Sequence, residues 1–414
     1  MLFRSKICVF TLGCKVNSSE SDSLVRGLKE SGYEVCEQLE PADVYIVNTC
    51  AVTAEAEKKS RQTAARIAKL NPQAKIIFTG CACQKDAASF SKKGNVQLVT
   101  GVFDKGKILG MLEREGVVIA PESKEFEELE PPLSDRARSY VKVQDGCNNF
   151  CSYCIIPYLR GRSRSRAPES VLREISAVPS AEVVLGGINL SAYDYGGERL
   201  SGLIGELKGV KKRIRLGSLE VNVIDEEFLR ALQGLEDFAE QFHLSLQSGS
   251  DAVLKAMNRR YTAEEYLEKV ALIRRFFPYA GITTDIIAGF PTETEANFVE
   301  TLALVKKAEF SDIHCFCYSP RSGTVAYKMK DLPPETKRAR LNELLREKEY
   351  CRRKFEKKNI GRREKVVVEE VENGFSVGYT GNYLRAYIKD VLPCGEISVI
   401  IKKRHLDGVL CEKI

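Results

Sequence analysis

Cys147-Asn148-Asn149-Phe150-Cys151-Ser152-Tyr153-Cys154 places three thiols in one short stretch with the spacing CxxxCxxC. Thiolate is the soft ligand that iron–sulfur clusters and zinc select, and this spacing lets three sulfurs turn toward one centre. No fourth ligand adjoins them in the sequence. A closed structural zinc site takes four ligands, and clusters built only to carry electrons usually take four cysteines. Three thiols therefore point to a cluster with one iron open to a substrate or cofactor. A zinc knuckle borrowing a distant ligand, and chance clustering in a Cys-rich chain, share the same spacing.

Outward from this stretch, residues 139 to 330 alternate strand and helix patterns. The strands are expected at 139–144, 182–187, 213–218, 242–247, 281–290 and 312–319, with helices such as 168–177, 225–235, 262–276 and 293–307 between them. Six such units predict a partial, open (βα)6 barrel, which does its chemistry at the C-terminal ends of its strands. The cysteine stretch immediately follows the first strand.

Residues 1 to 120 alternate in the same way. Strands are expected at 7–11, 44–48 and 75–79, and helices at 18–31 and 54–70, the latter stopped by Asn71-Pro72. The expected fold is a parallel α/β sheet. Cys14, Cys50 and Cys81 each follow one of these strands, at the end where open parallel sheets place their ligand crevice. Three sequence-distant thiols would thus converge on a second, equally incomplete metal centre. Cys83 competes with Cys81 for that role, and the remaining cysteines read as small buried hydrophobes.

Residues 121–138, rich in glutamate and ending near Pro131-Pro132, read as an acidic linker. From 336 to 364 the chain is helical and strongly basic, an electrostatic footprint suited to a polyanion. Residues 365–414 carry five short strand patterns with Gly-containing turns, a small antiparallel β-barrel of the OB type in which Tyr379, Tyr383 and Tyr387 either pack or stack bases. The whole chain has 414 residues, 63 basic against 57 acidic and 14 cysteines. With no apolar run of about 18 residues and no small-residue cleavage site after Met1 to Phe10, the expectation is a cytoplasmic protein with reduced thiols and no membrane span. Trp is absent and there are 3 histidines, which argues against His-centred acid–base chemistry.

The cysteine stretch after the first barrel strand, with an aromatic residue before its last cysteine, resembles the radical S-adenosylmethionine (SAM) superfamily. More specifically, TLGCKVN (11–17), VNTC (47–50), TGC (79–81), RGRSRSR (160–166), LQSGSD (246–251), DIIAGFPTET (285–294) and YSPRSGT (318–324) resemble, in order, the methylthiotransferase branch of that superfamily. The resemblance implies two 4Fe-4S clusters and SAM as cofactors. Cys147, Cys151 and Cys154 would hold the cluster that binds and cleaves SAM, and Cys14, Cys50 and Cys81 an auxiliary cluster that handles sulfur. It implies a tRNA anticodon stem-loop as substrate, with an electron donor and a sulfur donor as partners. The C-terminal barrel resembles a TRAM RNA-binding domain.

TLGCKVN and LGGINL (185–190) look most like the subfamily that acts on carbon 2 of N6-threonylcarbamoyladenosine. The alternatives are the isopentenyl-adenosine nucleotide, a ribosomal-protein aspartate, or, in another class, a non-catalytic zinc-containing RNA-binding protein. By position, Gly186 and Gly187 would admit the SAM amino group, Glu220 would accept from ribose, Gln247 and Ser248 would face the same mouth, Gly289 would lie beside adenine, and Asp285 would orient ribose or substrate. Arg160, Arg162, Tyr318 and Arg321 are the expected substrate or RNA contacts. Val221, Thr292 and Cys317 depart from residues common in the branch, and none of them is an expected cluster ligand.

Overall fold

The computed structural model describes residues 5–131 and 136–414. Residues 1–4 of the expected first domain, and 132–135 of the expected linker with Pro132, lie outside the described residues. The chain divides into two compact units. One takes the N-terminal part with 144–178 and 321–324, and the other takes 136–143, 179–320 and 325–414.

The first unit is built on a parallel sheet, which among the described residues has six strands: β1 (Lys6–Thr11), β2 (Glu34–Cys36), β3 (Val44–Thr49), β4 (Lys75–Gly80), β5 (Val96–Thr100) and β6 (Gly116–Val118), in the order β2-β1-β3-β4-β5-β6. Alternate residues serve opposite faces of a sheet. Ile7, Val9, Ile46, Ile77 and Leu98 pack on Leu24 and Leu28 of α1 (Lys15–Glu30). Cys8, Tyr45, Val47, Phe78 and Val99 face Ile67 of α2 (Ala54–Leu70) and Phe90. Burial on both faces explains why these strands read as nearly continuous apolar runs. Two short helices, α3 (Cys81–Lys85) and α4 (Ala87–Ser91), follow β4.

The expected acidic linker is irregular but not a free tether. Glu122 accepts from the Arg162 amide at 2.8 Å, and Glu127 from the Gly106 amide at 2.9 Å. Carboxylates that looked like a solvated run are satisfied by backbone donors of the same unit.

The barrel strands follow the expected plan. β7 (Arg138–Asp145), β8 (Arg164–Ser165) and β9 (Glu182–Gly187) precede a small hairpin, β10 (Asp194–Tyr195) and β11 (Glu198–Arg199). Then come β12 (Arg213–Leu216), β13 (Ser218–Leu219), β14 (Gln241–Leu244), β15 (Gly281–Ala288) and β16 (Asp312–Cys317). The sheets run β12-β9-β7-β8 and β13-β14-β15-β16. The expected third strand is split at Gly217, so one segment pairs with β9 and the next with β14. The connecting helices are α5 (Ile156–Arg160), α6 (Pro168–Ala177), α7 (Leu200–Glu206), α8 (Glu226–Gln233), α9 (Asp251–Ala256), α10 (Ala263–Phe276) and α11 (Glu295–Ala308). Thr262 and Thr294 close capping boxes at the starts of α10 and α11.

The basic helix α12 (Pro334–Lys358) leads to a closed barrel of β17 (Arg363–Glu372), β18 (Phe375–Thr380), β19 (Arg385–Ile388), β20 (Gly395–His405) and β21 (Gly408–Lys413). Its pairings are antiparallel except β19 with β21, which is parallel. Asn373 and Gly374, both at positive φ, make the tight turn between β17 and β18. Much of the α12 charge is spent within the chain: Arg340 pairs with Glu293, Lys348 with Asp312, and Arg352 with Glu349.

Candidate metal centres and barrel mouth

In the first unit, β1 and β3 flank the point where the strand order reverses, which is where an open parallel sheet leaves its crevice. Cys14 stands at the N-cap of α1, Cys50 follows β3, and Cys81 opens α3. The three thiols are charge neighbours of one another: ionisation of Cys50 is opposed by Cys81 and Cys14, and that of Cys81 by Cys14. Burial pushes Cys50 up to about 11 and raises Cys81 as well, so both are neutral thiols until a metal displaces their protons. Glycine brings the chains this close. A Cβ at Gly13, which sits at φ 109°, would lie 2.9 Å from the Cys50 Sγ.

Cys83 lies on the same short helix as Cys81, not on the expected turn. It is wholly buried beside Thr49, whose Oγ1 donates to the Thr79 carbonyl at 2.6 Å and accepts from the Ala82 and Cys83 amides. The Cys83 thiol is raised to about 12 by burial and faces the sheet.

The asparagines of the two first motifs act as latches beside this crevice. Asn17 donates to the carbonyls of Leu12 and Thr49, both at 2.9 Å, and Asn48 donates to the Asn17 carbonyl at 3.0 Å. Beneath them lies a charge network that the sequence did not disclose. Glu20, Lys105 and Arg160 are each about 1% exposed. Lys105 pairs with Glu20 and donates to Asn48. Arg160 pairs with Glu20 at 2.8 Å and with Asp145 at 3.2 Å, and donates to Asn17 Oδ1 at 2.7 Å. The expectation that Arg160 touches RNA is therefore corrected: its head is sealed inside the first unit.

Cys147, Cys151 and Cys154 occupy a loop of this same unit. Cys151 is buried and the other two are partly exposed. The loop is pinned by the Cys147 amide on the Gly161 carbonyl (3.1 Å), the Cys154 amide on the Cys151 carbonyl (2.9 Å) and Asn148 on the Ser163 amide (3.2 Å). Gly146 enters it at φ 70°, where a Cβ would meet the Arg162 carbonyl oxygen at 2.0 Å. Arg162 is exposed, its guanidinium 4.5 Å from the Phe150 ring centre. Arg164 and Arg166 are buried against Asp145 and Glu174. Arg321 is also corrected: it is 4% exposed and bonds the Ala51 carbonyl and Glu57, so its head is occupied inside the unit.

In the second unit the expected mouth residues separate into two groups. Glu220 stands just beyond β13, its carboxylate 2.8 Å from Arg259 and within 3.4 Å of Asn189. Gln247 holds φ 67° and is locked to β15 by the bridge that its amide and carbonyl make with Asp285 and Ile287. Asp285 accepts from His243 Nε2 and His314 Nδ1, both at 3.1 Å. The two imidazoles stack with centres 5.2 Å apart, and His243 Nδ1 lies 2.9 Å from Thr283 Oγ1. These hydrogen bonds outweigh desolvation and hold the Asp285 carboxyl well below the ordinary range. Among the described residues, His243, Asp285 and His314 are the histidine and acid or thiol donors that lie within 4.8 Å of one another. Sequence reasoning set the histidines aside because there are only 3 of them; His243, Asp285 and His314 lie on three different strands, β14, β15 and β16.

Other expectations fare differently. Gly186 makes room for a neighbouring ring, since a Cβ there would lie 2.1 Å from the Tyr140 hydroxyl oxygen. Gly187 is partly exposed at the end of β9. Ser248 is corrected: its hydroxyl is buried against Thr301 at 3.3 Å and does not line the mouth. Gly289 is required by φ 72° and by Lys337, which would lie 2.3 Å from a Cβ. Tyr318 is buried against Phe290, and burial pushes its hydroxyl up to about 12. Tyr379 and Tyr383 stack on each other with centres 4.7 Å apart, beside the guanidinium groups of Arg138 and Arg215, and Tyr387 bonds Asp407. The base-stacking alternative for these rings gives way to packing. Cys394 is exposed, unlike the buried role expected of it.

Comparison with known proteins adds a second line of evidence. Residues 6–101 match the Uncharacterized protein family UPF0004, and residues 141–305 the Radical SAM superfamily. The chain is 36% identical to the threonylcarbamoyladenosine tRNA methylthiotransferase MtaB of Bacillus subtilis, over 92% of this chain and 90% of that one. With the Thermotoga maritima protein of the same name it shares 38%, over 91% and 89%. The tRNA-2-methylthio-N(6)-dimethylallyladenosine synthase of Clostridium novyi is 35% identical over 89% and 86%. Among solved structures, the radical SAM methyltransferase TsrM of Kitasatospora setae, with cobalamin and a [4Fe-4S] cluster bound, superposes with a TM-score of 0.54 at 13% identity, covering 76% of this chain and 75% of that one. At that identity the likeness concerns the fold.

Proposed function

This chain belongs to the tRNA methylthiotransferase family of the radical SAM superfamily, and from that premise we propose that it places a methylthio group on carbon 2 of N6-threonylcarbamoyladenosine beside the tRNA anticodon. The observation that carries this reading is the collinear 36% to 38% identity with threonylcarbamoyladenosine enzymes over about nine-tenths of the chain.

Two 4Fe-4S clusters fit the thiols present. One set is a local loop with three cysteines, and the other is three thiols at neighbouring strand ends with a buried, unsatisfied guanidinium N–H beside them. Cys147, Cys151 and Cys154 would hold the first, the one that takes SAM, and Cys14, Cys50 and Cys81 would hold the second. When bound, these groups and SAM supply the electron, the radical and the methylated sulfur. The chain's own residues bind and orient. Glu220 offers a carboxylate to ribose hydroxyls, Gly187 gives backbone access, Gln247 and Gly289 shape strand ends, and the His243–Asp285–His314 group presents polar atoms to substrate. Of the arginine run, exposed Arg162 remains for a phosphate. We place the protein in the cytoplasm, with an electron donor and a sulfur donor as partners. Among the described residues no helix is long and apolar enough to cross a membrane.

The test is mass spectrometry of tRNA nucleosides from cells lacking and regaining the gene. Gain of the 2-methylthio form of N6-threonylcarbamoyladenosine is expected. Gain of the 2-methylthio isopentenyl nucleoside instead would favour the reading suggested by the 35% identity to the Clostridium novyi enzyme, and no change in either would refute both. Iron and sulfide on anaerobically purified protein exclude the zinc-binding alternative. Cys151→Ala abolishes SAM cleavage, whereas Cys50→Ala retains cleavage and loses methylthiolation.

A further inference from the structure

Arg160 ends α5, six positions after Cys154, and its guanidinium is buried in the first unit. Guanidinium carries five N–H donors in a fixed plane. Nη1 is directed at Glu20 Oε1 (2.8 Å) and at both Asp145 oxygens (3.2 Å), and Nη2 at Asn17 Oδ1 (2.7 Å) and Glu20 Oε2 (3.1 Å). Nε is different. It is buried and meets no hydrogen-bond partner among the described residues. A buried donor left unmade carries an uncompensated desolvation penalty, so native proteins rarely keep one without a reason. The same guanidinium is an electrostatic neighbour of the Cys81 thiol, and its charge reaches Cys50. A neutral thiol is a weak acceptor, whereas a metal-bound thiolate or a bridging sulfide is a strong one.

We infer that Arg160 is a positioning residue for the second metal centre: its Nε–H donates to a sulfur of the cluster held by Cys14, Cys50 and Cys81, and its fixed charge favours the reduced form of that cluster. The inference rests on the reading that those thiolates hold a 4Fe-4S cluster. Glu20 and Asp145 clamp the guanidinium so that it cannot turn away, and Lys105 on Glu20 adds a second buried cation. Hydrogen bonds to cluster sulfurs and nearby charge are among the main determinants of cluster potential. The placement also explains the position of Arg160 in the sequence. The segment that carries the first three-cysteine loop delivers, on its next helix, a donor to the other three cysteines.

The test uses the full chain with Cys147, Cys151 and Cys154 replaced by Ala, reconstituted with iron and sulfide so that only the second centre is loaded, and reduced with dithionite. With 15N-arginine incorporated, pulsed EPR of the reduced cluster should show a 15N coupling, and Arg160→Lys should remove it. The redox titration of the same samples should show at least a tenfold loss in the reduction equilibrium for Arg160→Met, equivalent to about 59 mV for one electron, with Arg160→Lys between it and the parent. The labelled parent needs no substitution at Arg160, so a misfolded Arg160→Met leaves the experiment decisive. A loaded cluster without arginine coupling overturns this inference alone. A parent that retains no iron and sulfide overturns both it and the assignment of the second centre.

Discussion

Glu182 is the most demanding single residue in the second unit. It is wholly buried at the start of β9 and faces three guanidinium groups: Arg215 at 2.6 and 3.0 Å, and Arg138 and Arg213 each at 3.8 Å. These arginines begin or lie in β7 and β12, at the N-terminal ends of the barrel strands, and each also reaches the C-terminal barrel. Arg215 donates to the carbonyls of Thr380 and Gly381, both at 3.1 Å, Arg138 pairs with Glu369, and Arg213 with Glu396. One carboxylate thus lies among the cations through which the C-terminal barrel is seated. In Glu182→Gln the side-chain shape survives, but an amide NH2 is turned toward a donor and the cations lose their compensating charge. Removing one member of a buried pair costs about 3–5 kcal/mol. At about 2–4 °C per kcal/mol for a domain of this size, the melting temperature should fall by roughly 10 °C. Urea unfolding and thermal melts of the metal-free protein check this, with amide exchange in β18 and β19 as a local readout. Glu182→Leu combined with Arg215→Leu should recover part of the loss, because it removes buried charge together with its partner. A Glu182→Gln protein within about 1 kcal/mol of the parent, a threshold set by the weakness of screened pairs, would refute the reasoning.

Two further outcomes follow from the geometry. The histidine bonds depress the Asp285 pKa in the folded protein, so the stability it contributes is fully present above the unfolded value of about 4 and is lost as pH falls through the folded value. The stability gap between parent and Asp285→Asn, measured by urea titration, should therefore shrink as pH falls below about 4; an unchanging gap across that range would exclude the histidine bonds as its source. Gly146→Ala places a methyl against the Arg162 carbonyl in a left-handed turn, and should lower iron retained by the Cys147 loop at least severalfold while leaving far-UV circular dichroism unchanged, which iron assay of a Cys14→Ala, Cys50→Ala, Cys81→Ala background would measure.

Local pattern carried the architecture. Apolar runs such as Lys75 to Gly80 announce their elements because the forces involved act within a few residues. The placement of Cys14, Cys50 and Cys81 after their strands was legible too, since strand-end position is a property of the chain itself. What stayed hidden was pairing across the fold. Nothing in the sequence marks Glu20 or Lys105, and Arg160 reads there as an RNA contact, because their partners meet only in the folded sheet. His243, Asp285 and His314 meet only because three parallel strands align them in register. Tyr379 and Tyr383 were ambiguous because the arginines that flank them lie more than a hundred residues earlier.

The two cysteine sets impose different histories on a newly made chain. The Cys147 loop closes over seven peptide bonds and needs little more than its own turn to present three sulfurs. Cys14, Cys50 and Cys81 are brought together only by β1, β3 and β4 in register, so a chain in which any of these strands is unpaired does not offer that site. Loop closure over such separations is slow compared with local turns. In a full-length chain folding from the unfolded state, iron would therefore find the local loop first, and the strand-end set becomes competent only when β1, β3 and β4 have paired. Filling of that second set is, in effect, a late checkpoint on folding of the N-terminal unit.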